Sequence, residues 1–258
     1  MVFLETYVVP VCRFDLLHGA AYIRAFHGTA FYINAHGTFL SASHVISAGE
    51  ADVGERGGFL GLCIRVEAGN VASEINLIDF ANEPYDVCVG QTGSRRTTRL
   101  TLASIAVGTW RDVVAYGYPT TAQNVTPDEF WMYGRGFKGY VHREVKRDQF
   151  PGEKHPDSIE TSFAMPCGLS GAPLFIPGQH RDTVVGVCVG VNRGETVESA
   201  FEEVDEHGET YREKRIRFEE YGLANDIRPL FNWKPASFHG RTLLELSTGE
   251  DRNPEYIS

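Results

Sequence analysis

The sequence predicts an all-β protein built from two β-barrels. Short apolar runs are broken repeatedly by Gly, Asn, Asp and Pro. These runs fall into two groups of about six strands, and no long stretch shows helical periodicity. Residues 1–19 read as an N-terminal segment. The first group occupies 20–95: Ala21–Phe26, Gly28–Asn34, Gly37–Ala42, Phe59–Val66, Ile75–Phe80 and Tyr85–Gln91. A polar stretch from Thr92 to Leu100 opens a linker, placed at 96–110. The second group occupies 111–235, with strands at Asp112–Tyr118, Glu129–Tyr133, Phe137–His142, Ser158–Phe163 and Thr183–Val191. Residues 197–220 read as a charged hairpin turning at Asp205-Glu206-His207-Gly208-Glu209, with apolar residues such as Ile216 and Phe218 at alternate places. Tyr221–Ala224 is a last strand and Asp226–Phe231 a short helix. Residues 236–258 read as a tail, mobile over about its last fifteen positions.

Composition narrows the function. An apolar fraction of 42% and a charged fraction of 22% are ordinary for a globular protein of 258 residues. A net charge of −10 argues against a nucleic-acid-binding surface, which needs clustered Lys and Arg. No apolar run is long enough to span a membrane. The N-terminus lacks a basic start and is interrupted by Glu5 and Pro10, a poor signal peptide. The five cysteines are odd in number with no short-spaced pairs, a poor disulfide framework. These features predict a cytoplasmic setting. No Cys/His spacing suits zinc, and neither a metal nor a cofactor is expected.

The chemistry is concentrated in Cys167-Gly168-Leu169-Ser170-Gly171-Ala172-Pro173. A Ser between glycines beside a strand is exposed on a tight turn, where backbone N–H groups can converge. Two upstream segments match it: Thr38-Phe39-Leu40-Ser41-Ala42-Ser43-His44 and Tyr85-Asp86-Val87-Cys88-Val89. The order His44, Asp86, Ser170 is one of the known solutions for a Ser-His-Asp triad. Together these segments resemble the trypsin-like, chymotrypsin-fold serine peptidases, over about residues 20 to 232. The resemblance implies two six-stranded antiparallel barrels with the active site in the cleft between them. It assigns Ser170 as nucleophile, His44 as general base and acid, and Asp86 as the group that orients the imidazole. The backbone N–H groups of Gly168 and Ser170 become the oxyanion hole. His36 and Asp79 are the nearby alternatives to His44 and Asp86.

The resemblance also has departures. Leu169 stands where zymogen-activated members carry an Asp that pairs with a new N-terminus, so no such activation switch is expected. Val45 stands where secreted animal members carry a Cys. Strand 189–191 supplies Val where relatives often direct a Ser hydroxyl at the Asp. The specificity pocket is expected at Ala164, Val189, Gly190, Val191 and Gly222. An uncharged Ala164 disfavours Lys or Arg at the cleavage site, and Val191 narrows the pocket, favouring a small or medium apolar residue. The expected function is endopeptidase cleavage of protein or peptide substrates through an acyl-enzyme, with a regulatory partner protein as a further expected contact. The alternative is a gated or inactive scaffold of the same fold. An esterase fits poorly, because its elbow wants Gly where Ala172 stands and its His should come last.

Overall fold

The computed structural model describes residues 4–66, 69–95, 97–125, 130–147, 149, 155–204 and 210–248. Strands β1 (Val8–Leu17), β2 (Ala20–Tyr32), β3 (Thr38–Ser41), β4 (Phe59–Val66), β5 (Gly69–Phe80) and β6 (Cys88–Thr92) close into a barrel in the order β1-β2-β3-β6-β5-β4. The N-terminal segment therefore supplies a full barrel strand, with Val8, Val9, Val11 and Cys12 buried in the core. Residues 21–34, read from the sequence as two strands, lie mostly on the single strand β2, which ends at Tyr32 and carries two bulges. The partner of β1 jumps from Gly28 to Phe26, leaving His27 unpaired.

Between β3 and β4 runs helix α1 (Ser43–Arg56), which the sequence reading did not contain. Its buried residues are Val45, Ile46 and Gly49. That apolar stripe is about one turn long, too short to register as helical periodicity. The barrel wall supplies the rest of its stability.

The second half contains β7 (Leu100–Leu102), β8 (Asp112–Gly117), a small hairpin of β9 (Gln123–Val125) and β10 (Phe130–Met132), then β11 (Arg135–Val145), β12 (Ser158–Thr161), β13 (Pro173–Ile176), β14 (Asp182–Val204) and β15 (Thr210–Asp226). The sheet order is β13-β8-β11-β12-β15-β14-β7, and a further β13–β14 pairing closes six of these strands into a ring. Each barrel has its own core. One is centred on Phe31, Phe39, Leu40 and Leu62, the other on Val141, Ile159, Leu169 and Leu174.

Strands β14 and β15 pair along their whole length, far past the barrel. The sequence expectation of a charged hairpin holds over the described residues; its turn, 205–209, lies outside them. The C-terminal segment departs from the expected tail. Phe238, Leu243 and Leu246 are buried, the last two in helix α2 (Leu243–Thr248). The Ser237 N–H donates to Asp79 Oδ2 at 2.8 Å, and Asn34 Nδ2 donates to the Leu246 carbonyl at 2.8 Å. Residues 249–258, the rest of the expected tail, lie outside the described residues. The short helix expected at Asp226–Phe231 is a 3-10 turn, Arg228–Leu230. Among the described residues no helix is long and apolar enough to cross a membrane.

Candidate active site

His44 is the second residue of α1, placed at the barrel rim where β3 ends. Asp86 lies in the loop between β5 and β6. Its carboxylate holds His44 at two points. Oδ1 accepts the His44 backbone N–H at 2.9 Å, and Oδ2 lies 2.5 Å from Nδ1 of the ring. Two contacts to one residue fix the position and the rotation of the imidazole, and turn Nε2 away from the carboxylate. The alternatives sit elsewhere. His36 is in the β2–β3 turn, where its N–H donates to Asn34 Oδ1. Asp79 accepts from Ser237.

Ser170 lies in the loop joining β12 to β13. Gly168 and Gly171 on either side have φ of +91° and +84°, the region glycine tolerates and other residues rarely adopt. A Cβ on Gly171 would come within 2.0 Å of the Thr29 carbonyl oxygen. The loop is pinned to the first barrel. The Thr29 N–H donates to the Ser170 carbonyl at 2.8 Å, and Thr29 Oγ1 donates to the Gly168 carbonyl at 2.9 Å. Leu169 anchors the loop's other side, fully buried in the second core.

Two contacts bring the parts together. A Cβ built on Gly28 would lie 2.6 Å from Val45 Cγ2 and 2.9 Å from the Ser170 carbonyl oxygen, so the start of α1 and the Ser170 loop meet at that point. The Asp86 backbone N–H donates to Asn225 Oδ1 of β15 at 2.8 Å, tying the His44–Asp86 pair to the second barrel. Among the described residues the Gly168 and Ser170 N–H groups donate to no protein acceptor. The Ser170 hydroxyl is directed at the Val189 carbonyl, 3.5 Å away, with no hydrogen bond to His44 among the described residues.

A cleft of about 370 Å³ opens beside Asp86, lined by Pro84, Asp86, His155, Pro156, Val189, Gly190, Val191, Leu223 and Asn225. A Cβ at Gly190 would meet nothing within 4 Å, so the wall is open there. Of the residues expected in the specificity pocket, Val189, Gly190 and Val191 line this cleft. Ala164 and Gly222 do not. The Gly222 N–H donates to the Phe163 carbonyl at 2.8 Å, and its Cα faces Thr161 and Met165.

All five cysteines are free. Burial pushes the Cys88 thiol, two residues from Asp86, well above its usual range, and the nearby Asp86 charge adds to the effect. It stays a neutral core residue at physiological pH.

Comparison with solved structures places this architecture. The chain has the chymotrypsin-type serine peptidase fold. It superposes on the HtrA-type protease AlgW, solved with a decapeptide, with a TM-score of 0.54 and 13% identity over 87% of this chain. It spans 62% of that AlgW chain. The MamO protease domain from Magnetospirillum magneticum gives 0.51 and 10%, covering 88% of this chain and 94% of that one. An inactive form of Rv3671c from M. tuberculosis H37Rv gives 0.50 and 15%, covering 86% and 82%. No protein-family model matches the sequence, and no curated protein does. At these identities the likeness is one of fold, and the argument for chemistry rests on the residues themselves.

Proposed function

We propose that the chain is a serine endopeptidase. The observation that carries this reading is the doubly held His44–Asp86 pair beside a Ser170 loop whose Gly168 and Ser170 N–H groups donate to no protein acceptor among the described residues. In this reading the Ser170 hydroxyl attacks a peptide carbonyl while His44 Nε2 takes its proton. The developing oxyanion is held by the two backbone N–H groups, each worth about 3 kcal/mol in comparable sites. The imidazolium, stabilised by Asp86, then protonates the leaving amine, and water hydrolyses the acyl-enzyme by the same steps in reverse roles. Pro84, Val189, Val191 and Leu223 share the lining of the cleft with the polar Asp86, His155 and Asn225.

A second reading, a gated member of the fold, has one observation in its favour: the Ser170 hydroxyl is turned toward the Val189 carbonyl. Engaging His44 would require the hydroxyl to leave that carbonyl. Labelling with a fluorophosphonate separates the two. An adduct on Ser170 that disappears in His44→Ala supports the peptidase. A folded chain with no adduct supports the gated form and moves the search to a regulatory partner.

A further inference from the structure

The bulge that leaves His27 unpaired in β2 sets three consecutive residues between α1 and the nucleophile loop. Thr29 donates to the Ser170 and Gly168 carbonyls. Gly28 packs between Val45 of α1 and the Ser170 carbonyl. His27 faces α1 further along. Gly49 lets the helix approach closely there, since a Cβ on it would lie 3.4 Å from His27 Cδ2. His27 Nε2 ends 3.3 Å from Asp52 Oδ2. Two arginines share that carboxylate. Arg13 Nε of β1 donates to Oδ2 at 2.8 Å, and Arg56 Nη1 of α1 lies 3.1 Å from Oδ1. The Arg13, His27 and Asp52 side chains are 10%, 12% and 11% exposed. His27 Nε2 is nevertheless buried without an aligned hydrogen-bond partner among the described residues. A buried polar atom in that state, beside a carboxylate, calls for an explanation.

We infer that His27 and Asp52 form a proton-sensitive latch that positions His44 by seating α1 on the stretch of β2 that also holds the Ser170 loop; the inference rests on the peptidase reading above. Helix α1 carries His44 in its first turn but buries only Val45, Ile46 and Gly49, all in its first half. The polar contacts of Asp52 are what attach the second half. A helix moves as a rigid element, so a displacement at Asp52 reaches the first turn. Asp86 fixes the imidazole relative to the β5–β6 loop. The latch fixes the helix relative to β2 and, through Gly28 and Thr29, relative to the nucleophile.

The charges around His27 make the latch respond to acid. Arg13 and Arg56 already oppose the one carboxylate, so an imidazolium would be a third positive charge about it. Burial disfavours the charged ring and Arg13 adds to the effect. Together they outweigh the attraction of Asp52 and hold His27 below the ordinary imidazole value. A base whose pKa is lowered in the docked form stabilises that form while neutral. As pH falls below the ordinary value of about 6.5, protons favour states in which the ring is hydrated. Here the hydrated state is one with the second half of α1 lifted from β2. Acid opens the latch and carries His44 out of register with Ser170.

Two measurements on the full chain test this. The first is the rate of fluorophosphonate labelling of Ser170 as a function of pH. His27→Gln keeps an amide that can donate to Asp52 but cannot take up a proton. It is expected to label within about twofold of the wild type near pH 8, and about tenfold faster than the wild type near pH 5. A ratio that stays constant across that range overturns the proposal. Asp52→Ala opens the latch at every pH and is expected to slow labelling about tenfold near pH 8. An unchanged rate there also overturns it, and if this variant fails to fold, the His27→Gln comparison decides alone. The second measurement is amide hydrogen exchange, corrected for the intrinsic pH dependence. Protection over residues 52–56 is expected to drop about tenfold from pH 8 to pH 5 in the wild type and to hold in His27→Gln. Equal protection loss in the two chains overturns the latch. If Ser170 labels and the two pH profiles are parallel, the latch fails alone. If nothing labels Ser170 at any pH, the peptidase reading fails, and the exchange data still decide whether acid lifts α1.

Discussion

The backbone N–H of Asp86 and the side-chain oxygen of Asn225 form a 2.8 Å hydrogen bond that crosses from one barrel to the other. Asp86 holds His44 through both carboxylate oxygens, and Asn225 lies on β15, whose partner β14 carries the Val189 carbonyl against Ser170. The position of the imidazole relative to the nucleophile is thus set across an inter-barrel joint. Asn225 is 1% exposed, so the bond is shielded from bulk water.

Asn225→Ala removes the acceptor and leaves the Asp86 N–H without its partner, at a cost of about 1–3 kcal/mol. The expected result is fluorophosphonate labelling of Ser170 slowed about tenfold, with the fold retained. Asn225→Asp keeps an oxygen acceptor for the Asp86 N–H and is expected to label faster than Asn225→Ala. Equal rates in the two variants would mean that this hydrogen bond does not position His44.

Gly171→Ala tests the turn that exposes the nucleophile. The φ of +84° and the approach to the Thr29 carbonyl leave no room for a methyl group. The loop must shift or the inter-barrel contact must open, at a cost of about 3 kcal/mol or more. Labelling of Ser170 is expected to vanish, with a lowered midpoint in urea. Full labelling in this variant would mean that the turn is not what presents the hydroxyl.

The parts of the site written in local sequence were the legible ones. The Ser170 loop needs two glycines within four residues, and His44 follows a short strand, so both leave a signature in a few letters. Two barrels were readable from strand-length runs and turn residues. Helix α1 was not, because Val45, Ile46 and Gly49 are its only buried residues. Strand β1 was not, because its run Val8 to Cys12 contains Pro10 and reads as a segment leading into the fold. Pro10 is accommodated within the β1–β2 pairing, opposite Thr29. Asn225 was invisible for a different reason: its role depends on a contact 139 residues away in sequence. The C-terminal helix hid behind its length, six residues of which Leu243 and Leu246 face inward.

Glu160 predicts an acid-sensitive element at the base of the ribbon. It is 3% exposed and accepts from Arg143 Nε and Nη2 at 3.1 and 3.0 Å, and from Asn192 Nδ2 at 2.9 Å. Burial works to raise its pKa, but the Arg143 and Asn192 hydrogen bonds outweigh that and hold it below the ordinary carboxylate value. A depressed folded-state pKa stabilises the fold above the unfolded value, and the stabilisation disappears as pH falls through the folded one. Glu160→Gln is therefore expected to cost about 2 kcal/mol at pH 7, allowing for the half-exposed Arg143, and the gap to the wild type is expected to narrow as the pH falls below the ordinary carboxylate range. Urea unfolding at neutral and acid pH checks this; a difference that persists undiminished in acid would assign the effect to packing.

The docked C-terminal segment makes the last prediction. Leu243 is fully buried and Leu246 nearly so, and both belong to the first core. Asn34 reaches this segment from the β2–β3 turn, donating to Thr38 Oγ1 at 2.8 Å as well as to the Leu246 carbonyl. The segment thus braces the end of the barrel from which β3 leads to His44. Leu243→Ala is expected to lower stability by about 3 kcal/mol through the cavity it leaves. Asn34→Ala is expected to cost about 2–3 kcal/mol, because it removes the bonds from Nδ2 to Thr38 Oγ1 and the Leu246 carbonyl and those that Oδ1 accepts from the His36 and Thr38 N–H groups. Because the two act on one contact, the double variant should cost less than the sum of the singles. Strict additivity in urea unfolding would mean that the Asn34 bond and the Leu243 packing hold the segment independently.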